Sequence, residues 1–146
     1  MLFRSGLEDQ EEYSKMPGIQ KLLGDFLGGP MTPEKIEGLL KLFPYNSEIV
    51  TQQMIDDRLE VLPLMNQQVL ASMQIPNLTK HLQEVRVPIL SIWGLSDQFI
   101  PIRGSETLEK CCSDVRTISF KECGHWVMIE KAEEFNNYCI SFLKNS

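Results

Sequence analysis

Apolar residues in the first half of the chain recur at helical spacing, and glycine or proline interrupts the pattern. From Gly18 the pattern predicts a helix that ends at Gly28-Gly29-Pro30. A second helix is predicted from Thr32, whose side chain can cap it, to the residue before Pro44. The apolar faces of these two helices consist of Ile19, Leu22, Leu23, Phe26, Leu27, Ile36, Leu39, Leu40 and Phe43.

Two further helices are predicted beyond Pro44. One begins at Thr51 and has Pro63 near its end, and the other runs from Leu64 to Met73, before Pro76. Short helices of this kind cannot each bury an apolar face alone. They predict a small helical layer that rests on a larger body.

The pattern changes near Leu82. Residues Val85 to Trp93 are mostly apolar and rich in β-branched side chains, which is typical of a strand buried on both faces of a parallel sheet. A helix over Gly104 to Cys112, a strand over Val115 to Phe120 and a helix over Lys131 to Leu143 are predicted next. The order β-α-β-α indicates the tail of an α/β sheet. Because two strands alone make a poor sheet, we expect neighbouring strands to be missing from this sequence.

Composition and charge exclude several classes of protein. The 146 residues suit one domain, and 42% apolar residues can form a packed core. The net charge of −6, with no basic stripe, argues against nucleic acid as a partner. No apolar run is long enough to cross a bilayer, so no membrane partner is expected. Without a signal-peptide pattern after Met1, the prediction is a cytoplasmic protein.

The cysteines do not form a metal-binding pattern. None belongs to a Cys-x-x-Cys motif, and the chain has only two histidines, so no structural zinc site is expected. We expect reduced, partly buried thiols. Cys123, next to the histidine turn described below, is a candidate for a redox-sensitive thiol. His81 lies among polar residues, and we expect it to be solvated.

An aspartate and a histidine follow the two predicted strands. Asp97 lies three residues past Trp93-Gly94, beyond the carboxyl end of the first strand, where functional groups of open parallel sheets gather. His125 follows the second strand, and Gly124 before it permits a tight turn. By itself Asp97 would be interpreted as a turn residue or a helix cap. The two residues together predict two members of a nucleophile–His–Asp triad, with Asp before His in chain order. A Gly-x-Ser-x-Gly turn for the nucleophile does not occur in the sequence.

Two sets of motifs resemble known enzymes. Trp93-Gly94-x-x-Asp97-x-x-x-Pro101 and Gly124-His125-Trp126 resemble the α/β-hydrolase superfamily. The helical part, through Phe43-x-Tyr45-Asn46-x-x-Ile49-Val50-Thr51 and Ile55-x-x-Arg58, resembles the cap of the meta-cleavage-product hydrolases. Gly6-Leu7 resembles the turn that enters this cap. These enzymes split a carbon–carbon bond in 2-hydroxy-6-oxohexa-2,4-dienoates formed by aromatic ring opening.

The resemblance implies an α/β fold, the C-terminal part of an α/β-hydrolase whose N-terminal core strands are missing. Residues 6–80 would form the helical cap, and residues 81–146 the C-terminal part of the core. Asp97 would be the triad acid, His125 the base, and Arg58 the contact for the dienoate end of the substrate. Phe99 and Trp126 would line the pocket.

Alternatives stay open for three of these residues. Arg58 could instead form a surface ion pair with Asp57 or Glu60, and the two aromatic residues could simply pack in the core. An aromatic residue often follows the cap arginine in the family. Leu59 stands there in this chain, which leaves the substrate preference open.

The function implied is that of a fragment of a carbon–carbon bond hydrolase with a small-molecule substrate. It would need no cofactor and no metal, and without a nucleophile the fragment alone is predicted to be inactive. A fragment of a carboxylesterase or lipase and a non-catalytic module derived from a hydrolase are the alternatives. The distal group of the substrate and the oligomeric state cannot be inferred from the sequence.

Overall fold

The computed structural model describes residues 10–64 and 77–145. The Gly6-Leu7 turn and all but the first residue of the helix predicted from Leu64 to Met73 lie outside these ranges. Short 3-10 turns occur at Ser47–Ile49, Leu62–Leu64 and Thr79–Glu84. The helices and strands, in chain order, are α1 (Gln10–Ser14), α2 (Pro17–Leu27), α3 (Pro33–Leu40), α4 (Gln52–Val61), β1 (Ile89–Gly94), α5 (Arg103–Cys111), β2 (Val115–Phe120), α6 (Val127–Glu130) and α7 (Ala132–Asn145).

The two strands form a parallel pair. Ile89 lies opposite Val115 and Gly94 opposite Phe120, and α5 makes the crossover between the strands. The predicted β-α-β-α order is therefore confirmed. α7 packs on β2 through Tyr138, whose ring lies edge-on to that of Phe120 with a distance of 6.2 Å between the ring centroids. Within the residues that the structure describes, the sheet has these two strands only.

The first strand begins four residues later than predicted from Val85. The N–H of Val85 donates to the carbonyl of Leu82 at 3.1 Å, which completes a 3-10 turn. Pro88 has no N–H, so the ladder begins when Ile89 donates to the carbonyl of Asp114 at 2.9 Å. The expected burial on both faces is not observed over the described residues, because only Ser91 and Gly94 of β1 are buried.

The helical layer begins where the capping residues predict. The Thr32 hydroxyl accepts a hydrogen bond from the N–H of Lys35, and the Thr51 hydroxyl accepts one from the N–H of Met54, both at 3.3 Å. The α3 helix ends at Leu40, earlier than predicted, and Phe43 lies in the turn that follows. From this turn the Phe43 ring packs both against α3 and against Phe99 and Trp126, in the loops that follow the strands.

The Lys35 ammonium group holds the end of α2 against the start of α3. It donates to the carbonyls of Asp25 at 3.0 Å, Pro30 at 3.2 Å and Gly28 at 3.3 Å. These carbonyls lie at the C-terminal end of α2, where a positive charge complements the helix dipole. Lys35 therefore sets the path of the chain into α3.

Two buried clusters form the core. The first contains Tyr13, Ile19, Leu39, Phe99 and Ile100, and the second contains Ile36, Leu40 and Ile55. Phe43 packs against both clusters. The first cluster joins the helical layer to the loop after β1, and the N–H of Gly18 donates to the carbonyl of Gln98 at 2.9 Å between the same two parts. The division of the chain at residue 80 stays a prediction.

The loop after β2 lies in close backbone contact with the end of β1 at Gly94 and with the 43–45 segment at Gly124. Ser96 donates its N–H to the carbonyl of Cys123 at 2.9 Å. A Cβ atom at Gly94 would lie 2.5 Å from that same carbonyl oxygen, and a Cβ atom at Gly124 would lie 2.8 Å from the nitrogen of Tyr45. Both distances are below the van der Waals limit, so glycine is required at each position because the backbones pass too closely for a side chain.

Gly94→Ala should destabilise the protein by about 3 kcal/mol, because the added methyl group forces two loops apart. Gly24→Ala is the matched control. It lies inside α2, and outside the neighbouring residues and backbone of that helix no atom lies within 4 Å of the position that its added methyl group would take. The control should stabilise the protein by about 0.5 to 1 kcal/mol. Urea unfolding measures both changes in the free energy of unfolding. Equal changes for the two variants would contradict the close backbone contact at Gly94.

Lys35→Met should lower the free energy of unfolding by about 1 kcal/mol, because it leaves the carbonyls at the end of α2 without their charged donor. Lys41→Met removes an ion pair with Glu37 whose side chains are 46% and 45% exposed. That control should cost less than about 0.5 kcal/mol. The urea midpoints of the two variants test the difference, and a larger loss for Lys41→Met would refute it.

Candidate active site

Asp97 and His125 lie side by side beyond the carboxyl ends of the two strands. The Oδ2 atom of Asp97 is 2.8 Å from the Nδ1 atom of His125, and the two side chains are 9% and 13% exposed. The other carboxylate oxygen, Oδ1, accepts the N–H groups of Phe99 at 2.7 Å and Ile100 at 3.0 Å. Both oxygens therefore have partners, which fixes the carboxylate in one orientation. The proximity predicted from the two strand ends is confirmed.

This hydrogen bond determines what the imidazole can do. A carboxylate accepts hydrogen bonds and does not donate, so Nδ1 of His125 carries the proton in the neutral ring. The lone pair then lies on Nε2, the nitrogen that acts as a general base in nucleophile–His–Asp sites. The arrangement is suited to taking a proton from a hydroxyl group and returning it to a leaving group.

The backbone of the histidine turn is held from two sides. The N–H of His125 donates to the carbonyl of Phe43 at 2.7 Å. The N–H of Gly124 donates to Oε1 of Glu130 at 2.9 Å. Sequence reasoning missed the part that Glu130 plays, and its one signal was an acidic residue after the apolar run Val127-Met128-Ile129.

Aromatic rings form a wall beside the imidazole. The Phe43 ring stacks between Phe99, at a centroid distance of 4.0 Å, and Trp126, at 5.0 Å. The His125 ring lies 5.5 Å from both phenylalanine rings. Sequence reasoning placed Phe43 on the apolar face of a helix and in the cap motif, and its contact with the imidazole was missed. The wall keeps one side of the base apolar.

A cavity of about 340 Å³ lies between α4 and the histidine turn. It brings together Arg58 and Trp126, two of the predicted substrate-binding residues. Phe99 is not among its lining residues, and with 1% exposure it packs in the first core cluster. Leu59 also lies outside the lining and packs against the second cluster. The residues that line the cavity are Leu40, Met54, Asp57, Arg58, Val61 and Trp126.

The charges in this cavity are not paired with each other. No ion pair of Arg58 with Asp57 or Glu60 occurs, although all three residues lie in the described part of α4. The Asp57 carboxylate accepts instead from the side-chain amide of Gln53 at 2.7 Å. Within residues 10–64 and 77–145 the guanidinium group of Arg58 has no ion-pair partner, so its donors can serve a ligand.

Cys123 lies where the loop after β2 contacts Gly94, and it has no exposed surface. Burial, together with the negative charge of Glu130, raises the pKa of the Cys123 thiol to about 12. The thiol is therefore protonated and inaccessible at neutral pH, and the hypothesis of a redox-sensitive thiol is wrong. His81 is more than half exposed and 3.4 Å from Glu84, as expected for a solvated side chain.

Two kinds of feature are absent from residues 10–64 and 77–145. These residues contain no group of three or more His, Cys, Asp or Glu side chains that could hold a metal ion. They also contain no helix of the length and apolarity that a membrane span requires.

Comparison with known proteins places these features in a family. The family model of the alpha/beta hydrolase fold matches residues 20–132. The chain is 31% identical to a 2-hydroxy-6-oxo-6-phenylhexa-2,4-dienoate hydrolase of Comamonas testosteroni, over 88% of this chain and 47% of the relative. It is 29% identical to a 2-hydroxy-6-oxononadienedioate/2-hydroxy-6-oxononatrienedioate hydrolase of Burkholderia vietnamiensis, over 99% of this chain and 53% of the relative.

A solved structure gives the same result for the fold. The meta-cleavage product hydrolase of Pseudomonas fluorescens superposes with a TM-score of 0.73 at 23% identity, over 89% of this chain and 50% of that chain. This chain thus spans about half the length of the curated relatives it matches. The predicted α/β-hydrolase fold class is confirmed, as is the resemblance to the meta-cleavage-product hydrolases. Since the family model matches well over half of the sequence, the chain belongs to the alpha/beta hydrolase fold family.

Proposed function

We propose that this chain is part of a serine-type hydrolase that cleaves the carbon–carbon bond of 2-hydroxy-6-oxohexa-2,4-dienoate-type ring-cleavage products. The hydrogen bond between Asp97 and His125, 2.8 Å long and largely buried, is the observation that carries the hydrolase part of the proposal. The names of the relatives support the choice of a dienoate as the substrate.

In this proposal His125 is the general base and Asp97 the residue that holds its tautomer. The dienol is first ketonised, which places an electron sink next to the bond to be broken. A serine hydroxyl from polypeptide outside this sequence then gives its proton to Nε2 of His125 and attacks the distant carbonyl carbon. The carbon–carbon bond breaks, its electron pair moves into the sink, and His125 gives its proton to the departing fragment. Water then hydrolyses the acyl-serine ester, which releases the acid and restores the serine hydroxyl.

Arg58 is proposed to bind the negatively charged end of the substrate. A guanidinium group is permanently charged and can hold a carboxylate or an enolate through two hydrogen bonds. The rest of the cavity wall is mostly apolar and includes Trp126, the residue next to the base. This arrangement supports a ligand that has one charged end and a conjugated hydrocarbon body. Phe99 contributes through its packing against the imidazole.

Three coarser expectations stay proposals with it. We retain a cap over residues 6–80 and a core part over residues 81–146, supported by the position of α1–α4 ahead of both strands. A small-molecule substrate is supported by the size of the cavity. A cytoplasmic location stays a prediction from the sequence.

The isolated chain should not hydrolyse 2-hydroxy-6-oxo-6-phenylhexa-2,4-dienoate or a nitrophenyl ester. None of its serines lies in a Gly-x-Ser-x-Gly turn, and loss of the serine nucleophile costs on the order of a millionfold in kcat in a serine protease. The loss of dienolate absorbance over time measures the first reaction. His125→Ala is the control, and any turnover by the natural sequence that this variant lacks would contradict the proposal.

An inactive chain can serve as a binding partner for the intact dienoate. Arg58→Met should raise the Kd roughly 10- to 100-fold, because a charge-assisted contact is lost. Quenching of Trp126 fluorescence measures binding, in a Trp93→Phe background that removes the other of the two tryptophans.

Arg86→Met is the matched control for this measurement. The Arg86 guanidinium donates to the carbonyls of Gln83 and Val85, away from the cavity, so the Kd should not change. The methyl ester of the dienoate, which lacks the carboxylate, should bind the natural sequence and Arg58→Met equally weakly. If the acid and its ester bind the natural sequence equally well, the esterase alternative is favoured. If neither binds, the non-catalytic module is favoured.

A further inference from the structure

The Glu130 carboxylate lies between the histidine turn and the segment that follows α3. Its Oε1 atom accepts the N–H of Gly124 at 2.9 Å, and its Oε2 atom accepts the N–H of Tyr45 at 2.7 Å. Gly124 immediately precedes the proposed base, and Tyr45 lies 85 residues from Glu130 in the sequence. One side chain therefore joins two distant backbone segments.

A third hydrogen bond closes this arrangement into a ring. The N–H of His125 donates to the carbonyl of Phe43 at 2.7 Å, two residues before Tyr45. Pro44, between them, is fully buried. The two segments, 43–45 and 124–125, are thus linked once directly and once through Glu130. The required glycine at 124 lets them approach closely enough for both links.

A carboxylate is the group that this position requires. The N–H groups of Gly124 and Tyr45 are donors, as is the nearby thiol of Cys123, and a carboxylate offers two acceptor oxygens and no donor. Glutamine would present one oxygen and one NH₂ group, so one of the two N–H groups would face another donor. The α6 helix fixes the reach of the side chain, since the N–H of Glu130 donates to the carbonyl of Trp126 at 2.9 Å.

We propose that Glu130 is a positioning residue for His125, a role that rests on the proposed function of His125 as the base. Glu130 acts through the backbone of Gly124 and holds the turn so that the imidazole meets Asp97. The carboxylate of Asp97 orients the ring, and Glu130 orients the backbone that carries it. A merely structural role would predict a loss of stability with no change at the imidazole.

The test observes the Nδ1 proton of His125 by NMR in the full 146-residue chain. Glu130→Gln should speed the exchange of this proton with water roughly tenfold or more, since a charge-assisted contact to the turn is lost. Glu133→Gln changes an exposed carboxylate at the start of α7 and is the matched control. It should leave the proton as it is in the natural sequence.

An unchanged Nδ1 proton in a folded Glu130→Gln variant, with only its urea midpoint lowered, would overturn the positioning role. If this variant does not fold, Glu130→Asp replaces it, since the shorter side chain keeps both acceptor oxygens but reaches the two N–H groups less well. Faster exchange of the Nδ1 proton in Glu130→Asp supports the role, and unchanged exchange refutes it. Absence of the Nδ1 resonance from the natural sequence would overturn the proposed function as well. If the Nδ1 proton responds to Glu130→Gln but the chain does not bind the dienoate, the positioning role stands and only the proposed substrate is refuted.

Discussion

Close backbone contact between three segments is the constraint on which the rest of the structure depends. Gly94, at the end of β1, lies against the 123–124 backbone, and Gly124 lies against the 43–45 segment. No side chain fits at either glycine, so the segments meet through main-chain atoms. The contact brings the turn of Asp97 and the turn of His125 together, and the carboxylate lies 2.8 Å from the imidazole.

Burial strengthens the contact between the two side chains. The carboxylate and the imidazole are mostly shielded from water, where a hydrogen bond is electrostatically stronger than at the surface. Shielding also removes hydration from Asp97, and the N–H groups of Phe99 and Ile100 replace it. The stacked rings of Phe43, Phe99 and Trp126 exclude water from one side. The buried pair of Asp97 and His125 is thus stable, because two backbone N–H groups donate to the carboxylate in otherwise apolar surroundings.

The helix caps, and one long-range contact that a rule of sheet topology determines, could be predicted from the sequence. The caps at Thr32 and Thr51 are local, and the proximity of Asp97 and His125 follows from the rule that parallel strands end at one edge. The start of β1 was misplaced because Val85 and Val87 suit a strand by type, whereas the turn before them and Pro88 exclude them from the ladder. Residue type alone does not reveal which backbone N–H and C=O groups already have hydrogen-bond partners.

Contacts between distant residues that no rule of sheet topology determines could not be predicted. Nothing near Glu130 in the sequence indicates that its partner is Tyr45, because the contact arises only when α6 and the turn after α3 pack together. The inertness of Cys123 also arises from packing. Its position next to the histidine turn suggested a reactive thiol, but burial makes the thiol inaccessible and raises its pKa. Long-range packing determined both results.

The hydrogen bond from His125 to Phe43 has a mechanical consequence. Phe43 belongs to the helical layer through its contacts with both core clusters, and its carbonyl also holds the backbone of His125. Any displacement of the Phe43 backbone relative to the histidine turn must either break that bond or carry the His125 backbone with it. The position of the imidazole is therefore mechanically linked to the helical layer.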